Sequence, residues 1–283
     1  MPSAIADIFR QAAELNLVDD RRKGNVLHVD IGCPLVVTGD IHGYRPGLTG
    51  AIRRAALDAD GRRLLVLQEI IHGPPQAPSG HDRSIEPLLR AARMFIAHPR
   101  QVLFLMGNHD LAQLTGNEIS KDGRGACKAF QAGLDHCMGQ DAPEVLQAVR
   151  EFLQSLPLAA KCPGGVFIAH SLPSPKRMQA AGTDILHRPY RPEDLRRAGA
   201  AYEWTWGRGH TAEQLDALAA TLGVEFFLLG HQHVAEGFRV VSPRCATLAS
   251  DHAHGCAMEF GSDDRLTAES AAACVRPIAA MGT

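Results

Sequence analysis

Short apolar runs alternate along the chain with longer amphipathic segments. Each apolar run has the length and continuity of a strand that is buried on both faces. Five such runs cover residues 34–38, 64–67, 101–106, 166–169 and 225–229. Weaker strand-like segments cover residues 26–29, 238–241 and 246–249.

The segments between these runs repeat their apolar residues with the period of a helix. The pattern predicts helices over residues 3–18, 48–57, 84–97 and 211–222, with Ser3, Ser84 and Thr211 as N-cap residues. Residues 117–158 are helical in pattern but are interrupted by Gly123, Gly125, Gly133 and Pro143. Strands that alternate with helices predict an α/β architecture.

A polar turn follows each of the five apolar runs. The ligand-competent residues of these turns are Asp40, His42, Glu69, Asn108, His170, His231 and His233. Because ligands of α/β sheets gather beyond the carboxyl ends of strands, we expect these side chains to converge on one sheet edge. Convergence over this span predicts a single domain over residues 1–283, with a helix and linker over 1–24 and strands over 238–283 that complete a second sheet.

Composition and charge narrow the function classes. Lys and Arg number 29 against 31 Asp and Glu, so the chain lacks the overall charge that attracts nucleic acid or anionic lipid. The seven cysteines form no CxxC pair, which argues against a zinc knuckle or disulfide framework. No apolar run reaches the roughly 20 residues that span a bilayer, and no signal-peptide pattern opens the chain. We expect a cytoplasmic protein without nucleic-acid or membrane partners.

The donors in the turns suit metal chemistry. Mixed imidazole and carboxylate ligands favour Mn, Fe or Zn over Ca or Mg alone. Seven ligands are too many for one tetrahedral ion but fit two ions that share a carboxylate. Two such ions can bind phosphoryl oxygens and generate hydroxide at neutral pH. The predicted cofactor is a pair of divalent ions, with manganese favoured.

The turns, read in order, resemble a known family. Asp40-x-His42, the carboxylate turn at Glu69, Gly107-Asn108-His109-Asp110, His170 and Gly230-His231-Gln232-His233 are similar to the calcineurin-like metallophosphoesterase superfamily. Within it the chain is most similar to the serine/threonine phosphoprotein phosphatase (PPP-type) branch, as a divergent, bacterial-like member. Residues 250–255 resemble a loop that borders the active site there. The resemblance implies an α/β fold in which helices flank a sandwich of two mixed β-sheets.

The resemblance also implies roles for individual residues. Asp40, His42 and His233 would hold the first metal, Asn108, His170 and His231 the second, and Glu69 would bridge both. His109 would be the general acid, with Asp110 orienting its ring. Asn108 and Arg208 would bind the phosphate.

Four positions depart from the pattern of that family. Glu69 stands where the family usually has aspartate, and His72 stands where it has a second carboxylate. Gly73 and Met106 stand where it has phosphate-binding arginines. Arg83, in the longer loop that follows, is a candidate replacement.

The leading hypothesis is a dinuclear metal-dependent phosphoesterase that hydrolyses phosphomonoesters by attack of a metal-activated hydroxide. Its substrate would be a small phosphoester or a protein that carries phosphoserine or phosphothreonine. A symmetrical dinucleoside tetraphosphate hydrolase is the alternative that Asp110 suggests, because that family shares the Gly-Asn-His-Asp turn. A metal-binding pseudophosphatase without turnover is the alternative that the four departures suggest.

Overall fold

The computed structural model of the protein describes residues 3–121 and 123–278, so the outermost ends of the two expected terminal segments lie outside the described residues. The helices are α1 (Ala4–Val18), α2 (Arg45–Ala55), α3 (Ile85–Ala97), α4 (Asn108–Thr115), α5 (Ala126–Met138), α6 (Ala142–Ser155), α7 (Met178–Ala181), α8 (Ala200–Trp206), α9 (Ala212–Leu222) and α10 (Ala268–Ala273). Short 3-10 helices cover Leu57–Ala59, Gly139–Asp141 and Asp184–His187. The strands are β1 (Arg22–Lys23), β2 (Val26–His28), β3 (Pro34–Asp40), β4 (Leu64–Gln68), β5 (Pro75–Gln76), β6 (His81–Asp82), β7 (Val102–Leu105), β8 (Ser120–Lys121), β9 (Arg124–Gly125), β10 (Ala159–Lys161), β11 (Val166–Ala169), β12 (Phe226–Leu229), β13 (Phe238–Ser242), β14 (Cys245–Leu248), β15 (Cys256–Gly261) and β16 (Val275–Pro277).

Two mixed sheets form the body of the molecule. Seven strands pair in the order β1-β2-β10-β11-β12-β14-β13, and five pair in the order β16-β15-β3-β4-β7. In the larger sheet β11, β12 and β14 are parallel and β13 is antiparallel. In the smaller sheet β3, β4 and β7 are parallel, whereas β15 is antiparallel to β3. The predicted sandwich of two mixed sheets is confirmed.

Side chains of the central strands alternate between two buried layers. In β3, Leu35 and Val37 face the layer between the sheets, and Val36 faces the layer beneath the helices. Phe226 and Phe227 of β12 divide in the same way. Because both faces of these strands are covered, their sequences are continuous apolar runs, and this is why the pattern identified them.

The four predicted helices are present as α1, α2, α3 and α9. Thr211 caps α9 as expected, since its Oγ1 accepts a hydrogen bond from the Gln214 backbone N–H at 3.3 Å. Ser3 and Ser84 occupy N-cap positions but make no side-chain cap bond. The Ser3 hydroxyl instead donates to Asp141 Oδ2 at 3.1 Å, which ties α1 to the turn before α6.

The interrupted region around residues 117–158 contains a hairpin, β8–β9, followed by α5 and α6. Gly123 and Gly125 belong to the hairpin segment. Gly133 lies inside α5, where a Cβ would come within 1.6 Å of the Asp82 carbonyl oxygen. Pro143 lies in the first turn of α6, where its missing N–H costs no hydrogen bond.

The strands after residue 238 divide between the two sheets. β13 and β14 extend the larger sheet beside β12, and β15 and β16 extend the smaller sheet beside β3. The sequence pattern did not indicate β15, because Glu259 interrupts its apolar run and pairs with Arg54 at 2.7 Å. Among residues 3–121 and 123–278, no helix combines the length and apolarity needed to cross a membrane.

Candidate metal centre

Five buried polar side chains follow five strands and meet where the two sheets adjoin. Asp40 ends β3, and Glu69 and Asn108 follow β4 and β7 in the smaller sheet. His170 and His231 follow β11 and β12 in the larger sheet. None of the five is more than 7% exposed. This group, the donor cluster, therefore draws on two sheets, not on the single sheet edge that we expected.

Asn108 lies at the centre of one half of the donor cluster. Its Oδ1 accepts hydrogen bonds from His170 Nε2 at 2.8 Å and from His231 Nδ1 at 2.7 Å. Glu69 Oε1 lies 3.4 Å from the same His170 nitrogen. Ligands bound about 2.1 Å from one divalent ion lie roughly 3 Å apart at right angles. The observed separations are those of atoms that share one ion.

Glu69 faces both halves of the donor cluster. Its Oε1 accepts a hydrogen bond from the His109 backbone N–H at 2.6 Å, and its Oε2 lies 3.3 Å from His42 Nε2. A Cβ at Gly107 would lie 2.3 Å from Oε1. The extra methylene of glutamate at this position is thus accommodated by the absence of a side chain at Gly107.

Asp40 anchors the other half. Its two oxygens accept from the His231 backbone N–H at 3.2 and 3.0 Å, and Oδ1 lies 3.4 Å from His170 Nδ1. A Cβ at Gly230 would lie 2.5 Å from that oxygen. The Gly230-His231 turn therefore serves Asp40 twice, by allowing a close approach and by supplying a hydrogen-bond donor.

The backbone around the donor cluster is strained. Six described non-glycine residues have a positive φ, and four of them lie here: His42, Glu69, His72 and His231. Such conformations cost about 1–3 kcal/mol each and concentrate at functional sites. The strain is held in part by the His42 backbone N–H, which donates to the Glu69 carbonyl at 2.9 Å.

Charges within the donor cluster shift the pKa values of its members. Burial, together with the charges of Asp40 and Asp110, raises the pKa of Glu69 to about 8. Burial opposes the charged form of His170, but the carboxylates of Glu69 and Asp40 raise its pKa to about 9. Burial also opposes ionisation of Asp40, yet His170 and His42 hold its pKa well below its usual range. The metal-free cluster thus keeps protons at neutral pH that bound cations would displace.

The donor cluster fits a pair of divalent ions. Its imidazole nitrogens and carboxylate and amide oxygens are donors that transition metals accept. The nitrogens that face Asn108 Oδ1 are His170 Nε2 and His231 Nδ1, and both belong to buried rings that a cation could bind in place of these hydrogen bonds. Two groups of side chains place their ligand atoms within 4.8 Å of one another: Asp40, Glu69 and His170, and His42, Glu69 and His109. Glu69 belongs to both, as a bridging carboxylate must.

The ring of His109 contacts His72. His72 Nδ1 lies 2.9 Å from His109 Nδ1, and His72 Nε2 lies 2.9 Å from Gln113 Oε1. Asp110 accepts a hydrogen bond from the Gly107 backbone N–H at 2.9 Å and so closes the first turn of α4. The reason is helix geometry, because the third residue of a helix turns back toward its N-cap. His72 therefore contacts the ring of His109, and the orienting role expected of Asp110 stays a prediction.

His233 lies apart from the donor cluster. It is exposed, and its ligand atom lies within 4.8 Å of those of Asp251 and His252, on the loop after β14. Residues two apart point to the same side of the sheet as long as the strand continues. The strand conformation ends at His231, which has a positive φ, so His233 does not share the direction of His231. The structure groups His233 with this loop and not with Asp40 and His42.

Of the arginines considered for phosphate binding, Arg208 has the clearest influence on the donor cluster. Arg208 is exposed. The pKa of His231 is lowered to about 2, first by burial, then by the charge of His170 and then by the charge of Arg208. Arg83 forms an ion pair with Glu86 at the start of α3. That pairing competes with the phosphate role suggested for Arg83.

Met106 and Gly73, which stand where the family has arginine, have little room for that side chain, Met106 because it is buried and Gly73 because it is tightly packed. Met106 is fully buried beneath the helices, where an unpaired arginine would lose its hydration. A Cβ at Gly73 would lie 3.0 Å from the His42 carbonyl oxygen. Gly73 and His72 line a cavity of about 230 Å³. Among the described residues, larger cavities of about 640 and 520 Å³ lie elsewhere, whereas the smaller one is lined by His72, whose ring contacts His109.

Sequence reasoning missed two features of the centre. The contact of His72 with His109 was signalled only by its position three residues after the bridging carboxylate, where the family has an acid. The grouping of His233 with Asp251 and His252 had no signal, because these residues are far apart along the chain.

Solved structures share this fold. A protein serine/threonine phosphatase from Saccharomyces cerevisiae is 14% identical, with 97% of this chain and 92% of that chain covered and a TM-score of 0.69. A cold-active protein-tyrosine phosphatase of a psychrophilic Shewanella species is 16% identical, with 90% and 84% covered and a TM-score of 0.57. At these identities the likeness establishes the architecture.

Sequence comparison establishes the family. No curated protein matches the chain. A family model described as calcineurin-like phosphoesterase matches residues 33–235, a span that contains the whole donor cluster. Since that span is more than half of the 283 residues, the chain belongs to the calcineurin-like phosphoesterase family.

Proposed function

We propose that the protein is a dinuclear metal-dependent phosphomonoesterase, with phosphoserine or phosphothreonine in proteins as its candidate substrates. Membership of the family makes it a phosphoester hydrolase. The observation that carries the dinuclear assignment is Glu69, whose Oε1 lies 3.4 Å from His170 Nε2 and whose Oε2 lies 3.3 Å from His42 Nε2.

In this proposal the donor cluster, together with His42, binds two ions. Asp40, His42 and Glu69 would hold the first, and Glu69, Asn108, His170 and His231 the second. When bound, two such ions neutralise phosphoryl charge and activate water at neutral pH. Manganese is the proposed native pair, with iron or zinc as alternatives for the same donors. Because these residues come from both sheets, we propose that the chain acts as one domain.

His109 is the proposed general acid for the leaving oxygen. Gln113 Oε1 accepts the Nε2 proton of His72, so His72 Nδ1 is free of hydrogen and accepts from His109 Nδ1–H. This chain of hydrogen bonds fixes the His109 ring and leaves Nε2 as the atom that carries the transferable proton. Asn108 and Arg208 are the proposed contacts of the phosphate.

We assign the leaving group to the cavity lined by His72 and Gly73, because the ring of His72 contacts His109, the proposed general acid. The cavity volume of about 230 Å³ lies below the roughly 300–1,000 Å³ of pockets that enclose drug-sized ligands. An amino-acid side chain suits that volume better than a nucleoside does. The feature that suggested a dinucleoside tetraphosphate hydrolase, Asp110, serves here as a helix cap.

A test compares substrates on the Mn²⁺-loaded full chain. We expect hydrolysis of p-nitrophenyl phosphate and of a phosphoserine peptide, with slower turnover of diadenosine tetraphosphate. His109→Ala should lower kcat by about 10²–10⁴-fold, the usual contribution of general acid catalysis. His98→Ala, at the C-terminal end of α3, is the matched control and should retain activity. Preference for the dinucleotide, or binding of fewer than two ions without turnover of any substrate, contradicts the proposal.

A further inference from the structure

A second group of metal-competent side chains lies beside the donor cluster. His233, Asp251 and His252, which we name the rim cluster, each offer one ligand atom, and these atoms lie within 4.8 Å of one another. Two imidazoles and one carboxylate are a donor set that binds zinc and neighbouring transition metals. His233 is exposed, while Asp251 and His252 are half-buried, so an ion can enter from solvent.

The loop that carries Asp251 and His252 is fixed to the strand that carries Asp40. The Ser250 backbone N–H donates to the Asp40 carbonyl at 3.2 Å, and the Gly39 N–H donates to Ser250 Oγ at 2.9 Å. The Ser250 hydroxyl donates in turn to the Cys256 carbonyl at 2.6 Å. Ligands held in place before binding lose little freedom when an ion arrives, which favours affinity.

The ring of His252 is held through both of its nitrogens. Its Nε2 donates to the Val234 carbonyl at 2.9 Å and lies 3.9 Å from Asp251 Oδ1, and ligating histidines usually donate one N–H to a carbonyl in this way. Nδ1 is then free of hydrogen and accepts only a long bond, 3.2 Å, from the His254 backbone N–H. The partner ring of His233 lies 5.4 Å away between centroids and makes no hydrogen bond with the residues that the structure describes.

We propose that the rim cluster is an accessory site for one divalent transition-metal ion, distinct from the dinuclear centre of the proposed function. The two sites diverge at the turn after β12, where His231 points to Asn108 and His233 points to the loop. An ion in the rim cluster would add positive charge next to the Asp40 strand end. The exposed ring of His254, centred 6.4 Å from that of His252, lies next to the site without belonging to the group.

Zinc stoichiometry tests the proposal on the full chain. Metal-stripped protein is dialysed to equilibrium against Zn²⁺ and its bound metal is counted by elemental analysis. We expect three ions in the parent and two in each of His252→Ala, Asp251→Asn and His233→Ala. The double variant His233→Ala/His252→Ala should also bind two, because both residues serve one ion. His187→Ala, an exposed histidine elsewhere, is the control and should bind three.

The comparison between variants decides the matter. Equal zinc content in the parent and all three single variants overturns the rim site. A double variant that binds one ion fewer than His252→Ala also overturns it, because His233 would then serve the dinuclear centre. Circular dichroism of each variant shows whether it is folded, and Asp251→Asn preserves side-chain volume if an alanine variant is not. Because the rim site is read from the difference between variants, failure of the dinuclear centre appears separately, as a low parent total.

Discussion

The donor cluster and the loop that follows β4 meet at Glu69, and they keep the family pattern to different degrees. In the donor cluster five of the seven expected donors are brought together and buried, and the backbone is strained to hold them. In the loop, His72 and Gly73 stand where the family has a carboxylate and an arginine. The two regions pack against each other through His72 and His109, so the difference between them lies in their residues and not in their packing.

The difference separates two parts of phosphoester chemistry. Metal binding depends on donors fixed at strand ends, where replacement of one would leave a buried, unsatisfied group. Phosphate and leaving-group recognition depends on side chains of loops, which tolerate change. A protein can therefore keep its metal centre while its preference among phosphoesters shifts, and the following predictions test that separation.

The largest effect should come from Gly107→Ala in the donor cluster. A Cβ there would lie 2.3 Å from Glu69 Oε1, while the backbone at φ −97° and ψ 173° accepts alanine without strain. Displacement of the bridging carboxylate should lower kcat by about 10²-fold, as an error of 1 Å in catalytic geometry does. Steady-state hydrolysis of p-nitrophenyl phosphate with Mn²⁺ measures the loss.

Shortening the bridge should reverse that loss. Glu69→Asp in the Gly107→Ala background removes the methylene that the new Cβ meets, so most of kcat should return. Gly61→Ala is the control, since a Cβ there has no neighbour within 4 Å among the described residues. Full activity of Gly107→Ala, or no recovery in the double variant, would show that Gly107 does not set the position of Glu69.

A smaller effect should follow from Gly73→Arg in the loop. An arginine there would supply a charge-assisted hydrogen bond to phosphate, worth about 1.5–3 kcal/mol. The new Cβ must displace the His42 carbonyl oxygen, 3.0 Å away, by a few tenths of an ångström, and Gly73→Gln carries that cost without the charge. Relative to Gly73→Gln, we expect KM for p-nitrophenyl phosphate to be about tenfold lower in Gly73→Arg, since 1.4 kcal/mol corresponds to tenfold. An equal response of both variants would mean that shape, not charge, limits binding.

The smallest effect should be a pH dependence of metal-free stability. The folded-state pKa values of Glu69, Asp110 and His170, about 8, 7 and 9, are all raised above the ordinary values of 4.5, 3.8 and 6.5. Between about pH 6 and 9 these three groups outweigh His231, whose lowered pKa acts in the opposite direction below its ordinary value of 6.5. The folded chain therefore binds more protons than the unfolded chain in this range, and its stability falls as pH rises. We expect Tm to drop by several degrees from pH 6 to 9 without metal.

Saturating Mn²⁺ should reduce or reverse that drop, because cations displace the protons on the donor cluster. Scanning calorimetry at fixed ionic strength, with and without Mn²⁺, measures both curves. A metal-free Tm that rises toward pH 9 would contradict the assigned protonation of Glu69 and His170.

The sequence predicted the donors better than their surroundings. Asp40, Glu69, Asn108, His170 and His231 were found because each follows a continuous apolar run, and burial of both strand faces makes such runs visible. The sequence did not indicate that Asp110 caps α4, because the hydrogen bond that it accepts from the Gly107 backbone depends on where the helix begins. We expected His233 beside His42 because it lies two residues after His231, but the strand ends before His231, so this spacing does not set the direction of its side chain.

The sequence by itself determined the alternation of strands and helices through local periodicity, and the family and the types of donor through short motifs. The sandwich of two mixed sheets followed from the resemblance that those motifs carry. Only the tertiary structure decided that the donors come from two sheets, that His72 contacts His109 and that His233 joins the loop after β14. These outcomes depend on contacts between residues far apart in sequence, such as His72 with His109, 37 positions apart, and Asn108 with His170, 62 positions apart. They also depend on turns with a positive φ that no local pattern specifies. The Asp40-His42 turn thus indicates metal binding, and the fold brings the other ligands to it.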